Sequence, residues 1–312
     1  MKSRVGRMCT NPLLNHSINM PVQLIHSTDI DQNKWNTLVL SSPMSSVFGM
    51  SWYLDTAFSS WSALVLDDYQ AGMLLPLRRK LGVKYAYNPL FVRETGVFSS
   101  MRLTNDLLML FSKAIKAAAN SIEIYTFQPL PSFNTHERLS QWRDLPDDSR
   151  QLLSSYNENT RRNIKKSLQS FHTITYDQDY DTICLMFEMH KLKEIDNLTR
   201  EDIIVLREIM KQAVAIRQGF AAKLLHQDKC IASGFFITHN DTLLFLKGSA
   251  SEEGKQTGAM HRLLHEVFSS YCSKLSRVDF GGSNIASVAR FYKGLGGVDK
   301  PYYACRTSFH LF

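Results

Sequence analysis

The chain is poor in the features that announce most enzyme classes. Its five cysteines, Cys9, Cys184, Cys230, Cys272 and Cys305, lie far apart, with no CxxC pair. An odd number of scattered thiols argues against a disulfide framework or a zinc knuckle and for buried free cysteines. No apolar run approaches the roughly 18–20 residues needed to span a bilayer. The N-terminus is basic (Lys2, Arg4, Arg7), but a polar stretch from Thr10 to Asn19 stands where a signal peptide needs an apolar one, so a cytoplasmic protein is expected. GxSxG, P-loop and Rossmann fingerprints are absent. His261 and His265 are spaced i, i+4, but Arg262-Leu263-Leu264 between them lacks the glutamate of HExxH, so no metal site is expected.

What is present describes an ordinary globular protein of 312 residues, 44% hydrophobic and 21% charged, a length that suits two domains. The net charge of +7 suits an anionic partner such as a nucleotide, tRNA or a phospholipid surface. Trp35, Trp52, Trp61 and Trp142 all fall in the first half, where they read as core.

Residues 1–20 show no periodicity and read as a disordered tail or leader. The region 21–150 reads as mixed α/β: a helix over 30–40, a hairpin of strands 61–66 and 73–79, a helix from Thr104 to about Ala119, and a strand 122–127. Pro129, Pro131 and Pro146 with Asp147-Asp148 punctuate the chain over 129–149, which places a domain boundary near 150 and predicts separate sheets on either side. The second half, 151–312, repeats the order of elements. Helices read over 182–194 and 200–217, and strands over 219–226, 230–238 and 242–247. A polar loop, a helix over 255–274, a short strand at 278–280, a helix over 286–295 and a closing strand over 302–310 follow.

Three antiparallel strands, a polar loop, a helix, a strand, a helix and a last strand resemble the GNAT acyltransferase fold. Two segments sharpen this. Asn159-Thr160-Arg161-Arg162-Asn163-Ile164-Lys165-Lys166 resembles the basic helix that opens the second domain of FemABX-type transferases. Gly281-Gly282-Ser283 with Arg290-Phe291-Tyr292-Lys293-Gly294-Leu295-Gly296-Gly297 resembles their C-terminal signature, with Tyr292 where the first lysine usually stands. The resemblance implies an α/β (α+β) chain of two GNAT-like domains, each a mostly antiparallel twisted sheet flanked by helices, the C-terminal one carrying the active site. It further implies an N-acyltransferase that moves an acyl or aminoacyl group from acyl-CoA or aminoacyl-tRNA, bound as co-substrate without a tight cofactor, to an amine acceptor. A catalytically decayed binding protein for nucleic acid or a protein partner is the alternative.

On that resemblance the donor is expected at Lys247, Ser249, Lys255 and Gly258, where a helix N-terminus faces the donor's phosphates. Arg161, Arg162, Lys165 and Lys166 stack at i, i+4, a repulsive spacing that an anion or solvent must relieve, and they are the phosphate-binding candidates. The buried stripe of the same helix is expected at Ile164, Leu168 and Phe171. Lys293 is the candidate for stabilising an oxyanion and Tyr292, Tyr302 or Tyr303 for donating a proton, with Ser283, Asn284, Arg290 and Phe291 in the same cleft.

Overall fold

The computed structural model describes residues 21–170, 172–192, 198–282 and 285–307. The leader 1–20 and the expected contributions of Phe171, Ser283 and Asn284 lie outside these. The first half runs β1 (Val22–His26), α1 (Gln32–Ser41), α2 (Ser51–Ala57), β2 (Ser62–Leu66), β3 (Ala71–Leu75), β4 (Leu77–Lys80), β5 (Val83–Tyr87), β6 (Phe98–Ser99), α3 (Asn105–Ala118), β7 (Ser121–Thr126) and β8 (Asn134–Asp144). The second runs α4 (Arg150–Ser155), α5 (Glu158–Leu168), β9 (His172–Asp177), α6 (Tyr180–Lys191), α7 (Arg200–Ala215), β10 (Gly219–His226), β11 (Lys229–His239) and β12 (Thr242–Ala250). It closes with α8 (Glu252–Thr257), α9 (Ala259–Tyr271), β13 (Arg277–Asp279), α10 (Ala286–Gly294) and β14 (Val298–Arg306).

Local chemistry sets the helix starts. The Thr104 hydroxyl accepts from the Leu107 N–H at 3.2 Å to open α3, and Thr199 with Asp202 forms a reciprocal capping box at α7. Asn157 caps α5 by accepting from the Thr160 N–H at 2.8 Å. The helix expected over 255–274 is two helices, because Gly258 takes a left-handed φ of +74° that ends α8 and begins α9.

The fold is α/β with two GNAT-like halves, each of mostly antiparallel strands flanked by helices. The sheets, however, are not divided at residue 150. A four-stranded sheet has the order β1-β2-β3-β6, and the other sheet has ten strands in the order β4-β5-β7-β14-β8-β13-β12-β11-β10-β9. The C-terminal strand β14 therefore lies between β7 and β8 of the first half, and β8 carries the sheet onward to β13 of the second. Within the long sheet β5–β7 and β12–β13 run parallel. The stretch 129–149, expected as a linker, thus holds an eleven-residue strand at the centre of the sheet. Its sequence gives no strand pattern, because polar residues face both ways: Gln141 and Arg143 are buried on one side, and Ser140 is buried on the other.

The two faces of the second half have different partners. One face of β11 and β12 (Phe235, Ile237, Leu244, Leu246) packs in a single core with α6 and α7 and with Trp35, Tyr53 and Leu54 of the first half. The other face (Phe236, Phe245) packs under α5, α9 and α10 through Ile164, Leu263, Phe268 and Tyr292. Helix α5 buries Thr160, Ile164 and Ser167, while Leu168, expected in that stripe, is exposed. Cys184, Cys272 and Cys305 are buried free thiols, and Cys230 is half-buried. Among the described residues no helix is long and apolar enough to cross a membrane.

Candidate functional site

The first face is where the halves meet, and strand alternation decides what it displays. Residues two apart share a face, so Thr242 and Leu244 of β12, Arg277 and Asp279 of β13, Trp142, Ser140 and Arg138 of β8, and Lys300 and Tyr302 of β14 form one continuous row across paired strands. The β12–β13 ladder ends at Leu244–Asp279. Just beyond, Leu246 is an extra residue in β12, which re-aims Lys247 onto this same face opposite Phe235. Because β8 and β14 sit in the middle of the sheet, both halves contribute to the row.

A cleft of about 570 Å³ opens over this face between the halves. Phe48, Asn88, Phe91 and Arg93 line it from the first half, Arg138 from β8, and Leu246, Lys247, Gly281 and Gly282 from the second. Lys247 is half-buried and its Nζ lies 5.7 Å from the centre of the Phe91 ring. Burial, and then the neighbouring Arg93 guanidinium, lower its pKa from 10.5 to about 8. Arg138 donates from Nε to the Tyr302 hydroxyl at 3.3 Å and stacks over Tyr125 at 5.0 Å.

At the floor lies a buried ion cluster. Arg93 donates to both oxygens of Asp279 (2.5 and 2.7 Å) and forks onto Glu94, with one Glu94 contact at 2.6 Å. All three side chains are at least nine-tenths buried, the exposures being 8, 4 and 8% for Arg93, Glu94 and Asp279. Burial works against the guanidinium, but the pull of Asp279 and Glu94 outweighs it and holds Arg93 charged. Burial, assisted by the Asp279 charge, pushes the Glu94 carboxyl up despite the arginine. Both carboxylates are held by the one guanidinium, and Lys247 is the cleft residue whose pKa is brought down toward neutral pH.

Gly282 of the second signature serves this cluster. Gly282 has φ +78°, and a Cβ there would stand 2.8 Å from the Arg93 Cδ. Only a residue without a side chain leaves room for Arg93 to cross to Asp279.

No family model matches the chain, and no curated protein matches it. Solved structures do. The chain is similar to FemX, with a TM-score of 0.66 and 13% identity over 90% of this chain and 96% of that one. It is similar to a tandem GNAT protein from the clavulanic acid biosynthesis pathway, with a TM-score of 0.52 and 11% identity over 91% and 97%. It is also similar to L-PGS from Bacillus licheniformis, with a TM-score of 0.52 and 10% identity over 90% and 93%. The chain shares the tandem GNAT fold of these structures.

Within the tandem GNAT fold the residues singled out from sequence are scattered. Among the described ones, Lys247, Gly281, Gly282 and Tyr302 line the interdomain cleft. Ser249 is on the same face but buried at 2% exposure beside its cross-strand partner Ser233, and neither hydroxyl finds a partner. Lys255 pairs with Glu252 at 2.7 Å on exposed α8. A Cβ at Gly258 would meet the Asn163 carbonyl oxygen at 2.5 Å, so this glycine lets α5 close onto α9. Arg161, Arg162, Lys165 and Lys166 are exposed on α5, which packs against the opposite face of the sheet from Lys247. Arg161 Nη1 donates to the Tyr156 carbonyl at 2.6 Å, and Arg162 to the Asn159 side chain at 3.1 Å.

Tyr292 is buried in that second core, stacked on Phe280 at 4.8 Å, where burial raises its hydroxyl pKa. Lys293 is half-exposed and pairs with Asp299 at 2.6 Å. Phe291 packs edge-on to His261 at 4.8 Å, and Arg290 is exposed. The segment 290–297 is therefore placed as a packing knot away from the cleft. Gly294 abuts Thr160 and Asn157 of α5, and a Cβ at Gly296 (φ +81°) would stand 2.3 Å from Arg143 Nη1. Arg143, buried without a carboxylate, donates to the Leu295 carbonyl at 2.5 Å and to the Ser155 hydroxyl at 2.6 Å. Arg93, Glu94, Asp279 and Phe91, which build the cleft floor, carry no signal in sequence, since an adjacent Arg-Glu pair reads as surface.

Proposed function

We propose that the protein is an N-acyltransferase whose reaction takes place over Lys247 in the interdomain cleft. The donor is a thioester such as acyl-CoA or an ester such as aminoacyl-tRNA, and the acceptor is an amine. The observation that carries this reading is a lysine with a pKa of about 8 in a cleft built by both halves of a tandem GNAT fold. An amine acceptor arrives as an ammonium and must lose a proton before it attacks. Neutral Lys247 takes that proton, and the free amine adds to the donor carbonyl. The carbon–sulfur or carbon–oxygen bond then breaks, and the leaving atom takes up the second N–H proton as the amide forms. Arg78 and Arg138 line the same cleft and supply positive charge toward an anionic donor.

This reading moves the catalytic role from Lys293 and Tyr292 to Lys247. The basic face of α5, outside the cleft, is left for the remote phosphates of a long donor such as tRNA. A decayed binding protein has no need of a desolvated lysine, which favours the enzyme. The test is to incubate the protein with acyl-CoAs and with charged tRNA, together with an amine panel, and to follow amide formation by mass spectrometry. Amide formed by wild type and lost in Lys247→Met supports the reading; amide formed equally by both overturns it.

A further inference from the structure

A second cavity, of about 290 Å³, lies on the same sheet face beneath the segment 43–48 of the first half. It touches the Lys247 cleft at Phe48, Arg93, Leu244 and Tyr302, and the transfer chemistry above makes no use of it. Its far wall is Trp142, with the Arg277 guanidinium 5.3 Å and the Lys300 ammonium 5.8 Å from the ring. Neither cation has a carboxylate partner among the described residues. The cavity's own carboxylates, Glu94 and Asp279, are both held by Arg93. The Trp142 indole Nε1–H is buried and finds no acceptor. His239 bonds the Ser45 hydroxyl through Nε2 at 2.9 Å, and burial lowers its pKa to about 4, so it is neutral at neutral pH. Two cations without a carboxylate partner thus line a space walled by apolar Val47, Phe48 and Phe127 and by the polar Ser140, Thr242 and His239, with the Arg93-held Glu94 and Asp279 at its floor.

We propose that this cavity binds the anionic end of a small organic acid, a carboxylate or a phosphate. Arg277 and Lys300 hold the anion, and Phe48 and Phe127 pack on its apolar body. The volume is at the small end of ligand sites and fits a molecule of amino-acid to dipeptide size. Arg277 sits level with Thr242, five residues along β12 from Lys247, which is about 16 Å at the rise of a strand. An occupant of that size does not reach Lys247, so the site stands independently of the transferase reading.

Isothermal titration calorimetry on the full chain tests it, with N-acetyl-leucine, inorganic phosphate and the neutral N-acetyl-leucinamide as probes. The site predicts binding of one or both anions and not of the amide. It also predicts affinity weakened about 10-fold in Lys300→Met and in Arg277→Met, with recovery in Arg277→Lys. Lys300 is exposed on β14, so Lys300→Met keeps the fold, and circular dichroism confirms it. Tighter binding of the acid than of phosphate names a carboxylate, and the reverse names a phosphate. Equal binding of acid and amide, affinity unchanged in Lys300→Met, or no heat from either anion overturns the proposal.

Discussion

Replacing Lys247 with methionine is expected to stabilise the protein. The lysine's pKa falls from 10.5 to about 8 on folding. The folded lysine gives up its proton at about pH 8, whereas the unfolded chain keeps it to 10.5; below pH 8 both states are protonated, and the fold bears the full cost of holding the charge. A shift of this size corresponds to about 3 kcal/mol for an enclosed group. Lys247 is only half-buried, so solvent screening brings the expected cost to about 1–2 kcal/mol. Methionine keeps the length of the side chain and removes the charge. Urea denaturation at neutral pH should show Lys247→Met more stable by that amount, with an unchanged slope. The sign with pH follows from the shift. As pH rises from about 8 to 10.5 the unfolded lysine also loses its proton, the wild-type penalty fades, and the gap between the two proteins closes. A variant equal to or less stable than wild type at neutral pH, or a gap constant across this range, would show that Lys247 is a solvated lysine and refute the reasoning.

Arg93→Met leaves Glu94 and Asp279 buried without their cation and should cost about 3–5 kcal/mol at neutral pH, a cost that shrinks as the pH is lowered because burial already pushes the Glu94 carboxyl up; denaturation at neutral and acid pH checks this. Lys293→Met removes a half-exposed pair with Asp299 and should cost under about 1 kcal/mol while leaving transfer unchanged, measured by thermal melting beside the amide assay. Gly296→Ala forces a side chain onto Arg143 at a left-handed position and should destabilise by about 2 kcal/mol or more, read as a fall in melting temperature with the Lys247 cleft intact.

Most helices and, β9 apart, the strands of the second half were legible because their periodicity is local. Thr104 marks a helix start in sequence and caps it in the structure. The strand β8 was not legible, because burial between the halves lets Gln141 and Arg143 sit where a strand pattern requires apolar residues. Missing it also hid the shared sheet, since β14 finds its place only beside β8. Trp142 reads as core by composition, yet it lines a cavity. The Gly281-Gly282 and Gly294 to Gly297 segments stood out in sequence as parts of a transferase-like signature. Their constraint is steric, admitting Arg93 and Arg143, and sequence does not separate that from chemistry. Lys247 was reached as a donor contact, but its lowered pKa arises from Phe91 and Arg93, more than 150 residues away in the chain.

The central claim is that Lys247 is the base of an acyl transfer. The most direct measurement is the pH dependence of kcat/KM for amide formation in wild type and Lys247→Met, with whichever donor the protein accepts. A basic lysine predicts a rate that rises with pH through about 8 in wild type, and in the variant a loss of about 100-fold or more together with that inflection. A variant that transfers at the wild-type rate with the same inflection would contradict it.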